Sequence, residues 1–116
     1  MDLEQFREYC IGKPAVSEDF PFDEDTLVFR VGEKMFALLD LPGATVNLKC
    51  DPEKALRLRE QYPAVQPGYH MNKAHWNTIA LGSLPERLIR EWTDHSYDLV
   101  ANKLPKKTKE KLGLSG

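Results

Sequence analysis

From Gly68 to Asn77 the chain reads Gly-Tyr-His-Met-Asn-Lys-Ala-His-Trp-Asn, which places two imidazoles, two larger aromatic rings, one ammonium and two carboxamides within a single short segment. Tyr69, His70, His75 and Trp76 offer planar faces for bases, at about 1–3 kcal/mol per stacked base. Lys73 can neutralise a phosphate, and Asn72 and Asn77 can read or brace base edges. The composition suits neither a buried helix nor a buried strand, and Pro67-Gly68 forms a turn that presents Tyr69 to Trp76 on an exposed rim. The same residues also fit a purely structural duty. In that reading Trp76 and Met71 plug the edge of a sheet while His70, Asn72 and Asn77 satisfy loop backbone.

Other chemistry finds less support in the spacing. His70 and His75 lie five apart, outside the one-face spacing of a helix, and no third ligand stands nearby for zinc. A nuclease-like His/Asn/His set needs a carboxylate-held metal beside a general base, and the segment contains no acid pair. A Gly-rich phosphate loop, a Gly-X-Ser-X-Gly elbow and a His-Glu-X-X-His pair are all missing. The expectation is a non-enzymatic domain with no metal and no cofactor. Arg30, Lys34, Lys49 and Lys73 could gather on one side of a sheet as a basic patch, or could keep sheet edges from pairing with other chains.

Charge is distributed unevenly along a chain whose formal net charge is only −2. Residues 1–25 hold eight acids against Arg7 and Lys13, and residues 103–116 hold five lysines against Glu110. The total argues mildly against tight non-specific DNA binding but leaves a local basic face open. The acids Glu18, Asp19, Asp23, Glu24 and Asp25 read as a solvated loop. With 116 residues, 41% hydrophobic and 29% charged, the chain has the composition of one ordinary domain of the commonest single-core size. It has no apolar run of membrane-spanning length and no signal-peptide start, so a cytoplasmic protein without a membrane partner is expected, monomeric or weakly dimeric. Cys10 and Cys50 lie far apart and read as reduced packing residues.

The elements that must position these residues follow from periodicity. Asp2 caps a short amphipathic helix carrying Leu3, Phe6 and Cys10, ended by Gly12 and Pro14. The Pro-interrupted stretch 15–22 can enter a sheet only at an edge, or else forms an irregular arm. Thr26–Val31 and Lys34–Leu39 form a hairpin through Gly32-Glu33, and residues 44–50 alternate with period two, completing a three-stranded meander. Asp51-Pro52 opens a second helix that stops before Pro63. Short strands are expected around Ala64-Val65 and Thr78–Leu81. Ser83 or its neighbour caps the longest helix, with Leu88, Ile89, Trp92, Ser96, Leu99 and Val100 on one stripe as far as about Lys103. The order α-β(3)-α-β(2)-α means α+β in two layers, one domain over residues 1–104, followed by a basic, flexible tail over 105–116.

Several segments together resemble the MmcQ/YjbR family of small bacterial proteins nearly end to end. They are Ser17–Phe22, Thr26–Phe29, Lys34–Ala37, Asn47–Pro52, Tyr62–Val65, Gly68–Lys73, His75–Asn77 and Ser96–Val100. The resemblance implies an α+β fold with a curved antiparallel sheet and the same element order, similar to secretion-chaperone-like domains. It also implies DNA binding of a double-wing type. Its surface would be His70, Asn72, Lys73, His75 and Trp76, with Lys34 and Lys49 as flanking phosphate contacts. The alternative is a protein–protein adaptor whose sheet face or acidic N-terminal arm docks a partner helix or peptide.

Overall fold

Alternating apolar residues in the first half of the chain build a sheet with two different faces. The computed structural model describes residues 1–68 and 71–114. Its elements are α1 (Leu3–Ile11), β1 (Val16–Asp19), β2 (Thr26–Val31), β3 (Lys34–Asp40), β4 (Thr45–Lys49), α2 (Pro52–Gln61), β5 (Val65–Pro67), β6 (Trp76–Ala80), α3 (Glu86–Asn102) and α4 (Lys106–Lys111). The strands form one open sheet in the order β1-β2-β3-β4-β6-β5, every pairing antiparallel, and the fold is α+β as expected.

Local signals account for most of these boundaries. Asp2 and Gln5 form a reciprocal capping box at the start of α1, and Asp51 caps α2 with Pro52 in its first turn. Gly32 and Glu33 have φ of 57° and 68°, the left-handed pair that a two-residue hairpin between twisted strands requires. A Cβ on Gly32 would also lie 2.8 Å from Leu104, so the turn is tucked under the chain that follows α3.

Leu27, Phe29, Val31, Ala37, Leu39, Val46, Leu48, Val65 and Ile79 point to the face covered by α1, α2 and α3, where they meet Phe6, Cys10, Leu88, Ile89 and Trp92. A register shift after Phe29 leaves Phe36 without a cross-strand partner. That bulge turns Phe36 into the main core beside Phe29 and Tyr97, and puts Met35 on the opposite face. The ring pairs Phe6–Phe29, Phe36–Tyr97 and Tyr62–Trp92 meet nearly edge to face at 5.3–6.0 Å, an arrangement worth about 0.5–1.5 kcal/mol each beyond burial. The face without helices carries a smaller cluster of Val28, Leu38 and Trp76 flanked by Met35 and Met71.

Four features depart from the sequence expectations. The 15–22 stretch supplies β1, which takes an edge position, so the first run has four strands instead of three. β6 starts at Trp76, two residues earlier than expected, and carries Trp76 and Asn77 inside the sheet. Ser83 does not cap α3. Its hydroxyl donates to the Ala80 carbonyl, and Pro85 occupies the cap position without a side-chain bond. The lysine-rich segment after Pro105 forms α4, with Leu112 and Leu114 against the core, because those two leucines give an otherwise polar helix an apolar anchor.

Polar ties join α1 to α3. The Tyr9 hydroxyl donates to Asp94 Oδ1 at 2.6 Å, Lys13 pairs with the same carboxylate, and the Tyr97 hydroxyl donates to the Pro14 carbonyl at 2.6 Å. Burial and the Asp94 hydrogen bond push the Tyr9 phenol from 10.0 up to about 12. Burial also raises Tyr97, Cys10 and Cys50 above their ordinary values. These four groups hold their protons more tightly folded than unfolded, so each contributes stability that is complete below its unfolded pKa and lost as pH rises, for Tyr9 between about pH 10 and 12. Urea unfolding across this range should show a falling midpoint, and Tyr9→Phe should make the fall shallower. An unchanged slope in that variant would show that the Tyr9 proton is not linked to folding.

Candidate nucleic-acid interface

β3 and β4 pair from Asp40↔Thr45 to Ala37↔Leu48, and beyond that point their ladder ends. The Lys49 N–H and the Phe36 carbonyl are the next backbone groups there, and the Ser96 hydroxyl of α3 serves both. It accepts from Lys49 N at 2.9 Å and donates to the Phe36 carbonyl. Ser96 is fully buried, so this clasp fixes the end of β4, and with it Lys49, relative to α3.

At this end of the sheet lies a hollow of about 350 Å³. Lys34 enters it from the start of β3, Lys49 from the end of β4 and Lys103 from the C-cap of α3, over a floor that includes Met35, Trp76 and Leu104. Lys49 and Trp76 are cross-strand partners, which sets the spacing of ammonium and indole. None of the three lysines takes part in an ion pair among the described residues. Chemically, three ammonium groups beside an apolar, partly aromatic wall are the kind of arrangement that a phosphate or similar anion could occupy.

The structure therefore brings together three of the expected contact residues, Lys34, Lys49 and Trp76, and adds Lys103. It separates the others. Tyr69 and His70 lie outside the described residues. Asn72 and Lys73 are exposed and His75 is half-buried, but none of them lines this hollow. Asn72 Oδ1 accepts the Ala74 N–H, and the His75 carbonyl accepts the Cys50 N–H at 2.7 Å. Arg30 pairs with Asp19 instead of joining the lysines. Trp76 is only 7% exposed and Asn77 2%, which corrects the expected exposed rim ending at Trp76: the indole belongs to the small cluster on the helix-free face, and Gly68 lies so near that an added Cβ there would come within 2.8 Å of the Trp76 Cβ.

The organiser of the segment is Arg59 on α2, which the sequence pattern did not single out. Its Nε donates to Asn77 Oδ1 at 2.7 Å, and its Nη2 donates to the carbonyls of Lys73 and Trp76. Asn77 in turn donates to the Ala55 carbonyl. A guanidinium's rigid fork suits such a set of oxygens from two segments of chain, and no local pattern in the helix announces it. Close to the clasp, His95 Nε2 accepts the Asp51 N–H at 3.4 Å, and burial followed by the nearby Lys54 charge lowers the His95 pKa.

Comparison with known proteins adds a lineage. A family model described as YjbR matches residues 11–99. The uncharacterized protein YjbR of Escherichia coli K12 is 35% identical over 97% of this chain and 98% of its own length. The uncharacterized protein YbdF of Escherichia coli O157:H7 is 36% identical over 94% and 92%. Among solved structures, the crystal structure of Deinococcus radiodurans protein DR2400, with its DUF419 domain, is 40% identical, covers 98% of this chain and 89% of that one, and superimposes with a TM-score of 0.91.

Ser96→Ala should leave the Lys49 N–H and the Phe36 carbonyl without a partner in the interior, at a cost of roughly 2–4 kcal/mol. Arg59→Ala should cost about 2–3 kcal/mol by stranding Asn77 Oδ1 and loosening residues 72–76. Both read out as lower denaturation midpoints, and a loss below about 0.5 kcal/mol, the usual size of a surface substitution, would contradict the corresponding role.

Proposed function

The chain belongs to the YjbR family, and on that footing we propose that it is a non-enzymatic DNA-binding domain that grips phosphates at the lysine-lined end of its sheet. The observation that carries this reading is the convergence of Lys34, Lys49 and Lys103, from three separate elements and with no ion pair among the described residues, on one hollow. Unpaired ammonium groups held close together repel one another, and a polyanion relieves that repulsion while releasing its own condensed counterions. The basic surface continues along the chain, since Pro105 lines the hollow and Lys106 and Lys107 open α4 directly after it.

The near-complete burial of Trp76 shapes what such binding looks like. A ring that is 7% exposed contributes an apolar wall and little stacking area. Phosphate contacts then dominate, and contacts of that kind set position without reading sequence. The domain is expected to tolerate many sequences and to depend strongly on salt.

A second reading, a protein–protein adaptor, draws on a different observation. Phe20 and Phe22 are 49% and 63% exposed on the acidic stretch beside Asp19, Asp23, Glu24 and Asp25. Solvated aromatic rings amid carboxylates are a surface that a basic partner could cover.

Fluorescence anisotropy with labelled duplex and single-stranded DNA across a salt series distinguishes the two. DNA binding predicts a steep loss of affinity with salt, at a slope of about 0.9 per phosphate neutralised on duplex. Lys49→Ala and Lys103→Ala should each reduce that slope by about one. No association with either DNA at about 50 mM salt, where phosphate contacts are strong, would overturn the DNA reading. Binding to a protein that persists at high salt would favour the adaptor.

A further inference from the structure

At the opposite end of the strands from the lysines, the helix-free face forms a second and larger hollow of about 640 Å³, within the range of small-molecule sites. Its floor comes from the middle strands, where the Thr78 hydroxyl donates to Asn47 Oδ1 at 2.5 Å and Leu38 supplies an apolar base. Phe22 and Met71 are among its walls, one from the arm between β1 and β2 and one from the segment before β6.

The charged side chains that line it are Asp23 and Asp40, and no basic side chain does so among the described residues. Each carboxylate is oriented by backbone. Asp23 Oδ1 accepts the N–H groups of Asp25 and Thr26 at 2.9 and 2.8 Å, and Asp40 Oδ2 accepts the Gly43 N–H at 3.2 Å. Those bonds hold the Asp23 carboxyl below its ordinary pKa, so it stays ionised near neutrality. The Asp23 carboxylate is held further by the Thr26 side chain, while Asp40 Oδ1 has no hydrogen-bond partner among the described residues. The arm itself is anchored, since the Asp25 carbonyl accepts the Leu41 N–H at 2.9 Å.

From this geometry we propose that the cup between Phe22, Met71, Asp23 and Asp40 binds a small organic cation, an ammonium or guanidinium group carried on an aromatic or aliphatic body. The cationic head meets Asp40 Oδ1 and the negative charge of Asp23, and the body lies against the Phe22 ring and the Met71 thioether. An aromatic face beside a carboxylate favours a cation twice, through the ring quadrupole and through direct charge. The preorganised carboxylates need little rearrangement to receive it. This site is independent of the lysine-lined hollow and would stand if that one bound no DNA.

Two-dimensional NMR titration of the full chain with phenethylamine, agmatine and the shape-matched anion phenylacetate tests the assignment. The two cations should give saturable shifts confined to the amides around Thr26, Asp40, Asn47 and Thr78, and phenylacetate should give none. Asp40→Asn keeps a carbonyl oxygen for the Gly43 N–H while removing the charge, and should weaken the cations about tenfold. Phe22→Ala alters only an exposed ring and should weaken phenethylamine more than agmatine. Lys49→Ala should leave both affinities unchanged. Equal shifts from phenylacetate, indifference to Asp40→Asn, or no saturation of either cation by about 10 mM would each overturn the proposal.

Discussion

Where β3 and β4 part, two backbone groups in the interior lose their ladder partners, and one hydroxyl, that of Ser96, satisfies both. Much of the lysine-lined candidate surface depends on this substitution. A longer ladder would hold the two strands together as far as Lys49 and leave less room beside the C-terminus of α3. Because the hydroxyl comes from α3, the helix is tied to the sheet about two turns before the chain carries Lys103 and Leu104, after Val100, into the hollow. The bulge at Phe36 works with the clasp by sending that ring into the main core and Met35 to the other side. Strand separation, core packing and the spacing of the lysines are therefore one coupled arrangement.

Arg59 does comparable work for the segment before β6. A loop there displays several carbonyls, and a guanidinium on α2 collects two of them together with the Asn77 amide oxygen. This explains why a stretch so rich in polar and aromatic residues ends in a buried strand. Asn77 is a polar residue in the interior only because its oxygen and its nitrogen are both committed, to Arg59 and to Ala55.

Elements set by neighbouring residues were legible in the amino-acid sequence. The Asp2 and Asp51 caps, the Gly32-Glu33 turn and the alternation of β4 all act over a few residues, and each appears where the pattern placed it. Features decided across the fold were not. The start of β6 at Trp76 depends on pairing with Lys49, and the helix after Pro105 depends on Leu112 and Leu114 finding the core. Site residues divide in the same way. Lys34 and Lys49 could be joined from sequence because a hairpin and its neighbouring strand bring them together, whereas Lys103 lies far along the chain and arrives through α3. Ser96 was readable as a core-facing position, but its role as a clasp between strands needed the third dimension.

Segregation of charge along the strands has one further effect. β4 starts at Thr45 beside Asp40 and ends at Lys49, so roughly 13 Å of strand, at about 3.3 Å per residue, separates an acid-lined end from a lysine-lined one. That distance exceeds the screening length of about 8 Å at physiological salt, so each end presents its own sign to a nearby surface. The molecule thus carries a permanent dipole moment although its net charge is only −2. If a polyanion is the ligand, such a body would experience a torque before it makes contact, and would approach lysines first with the acid-lined cup turned outward to solvent.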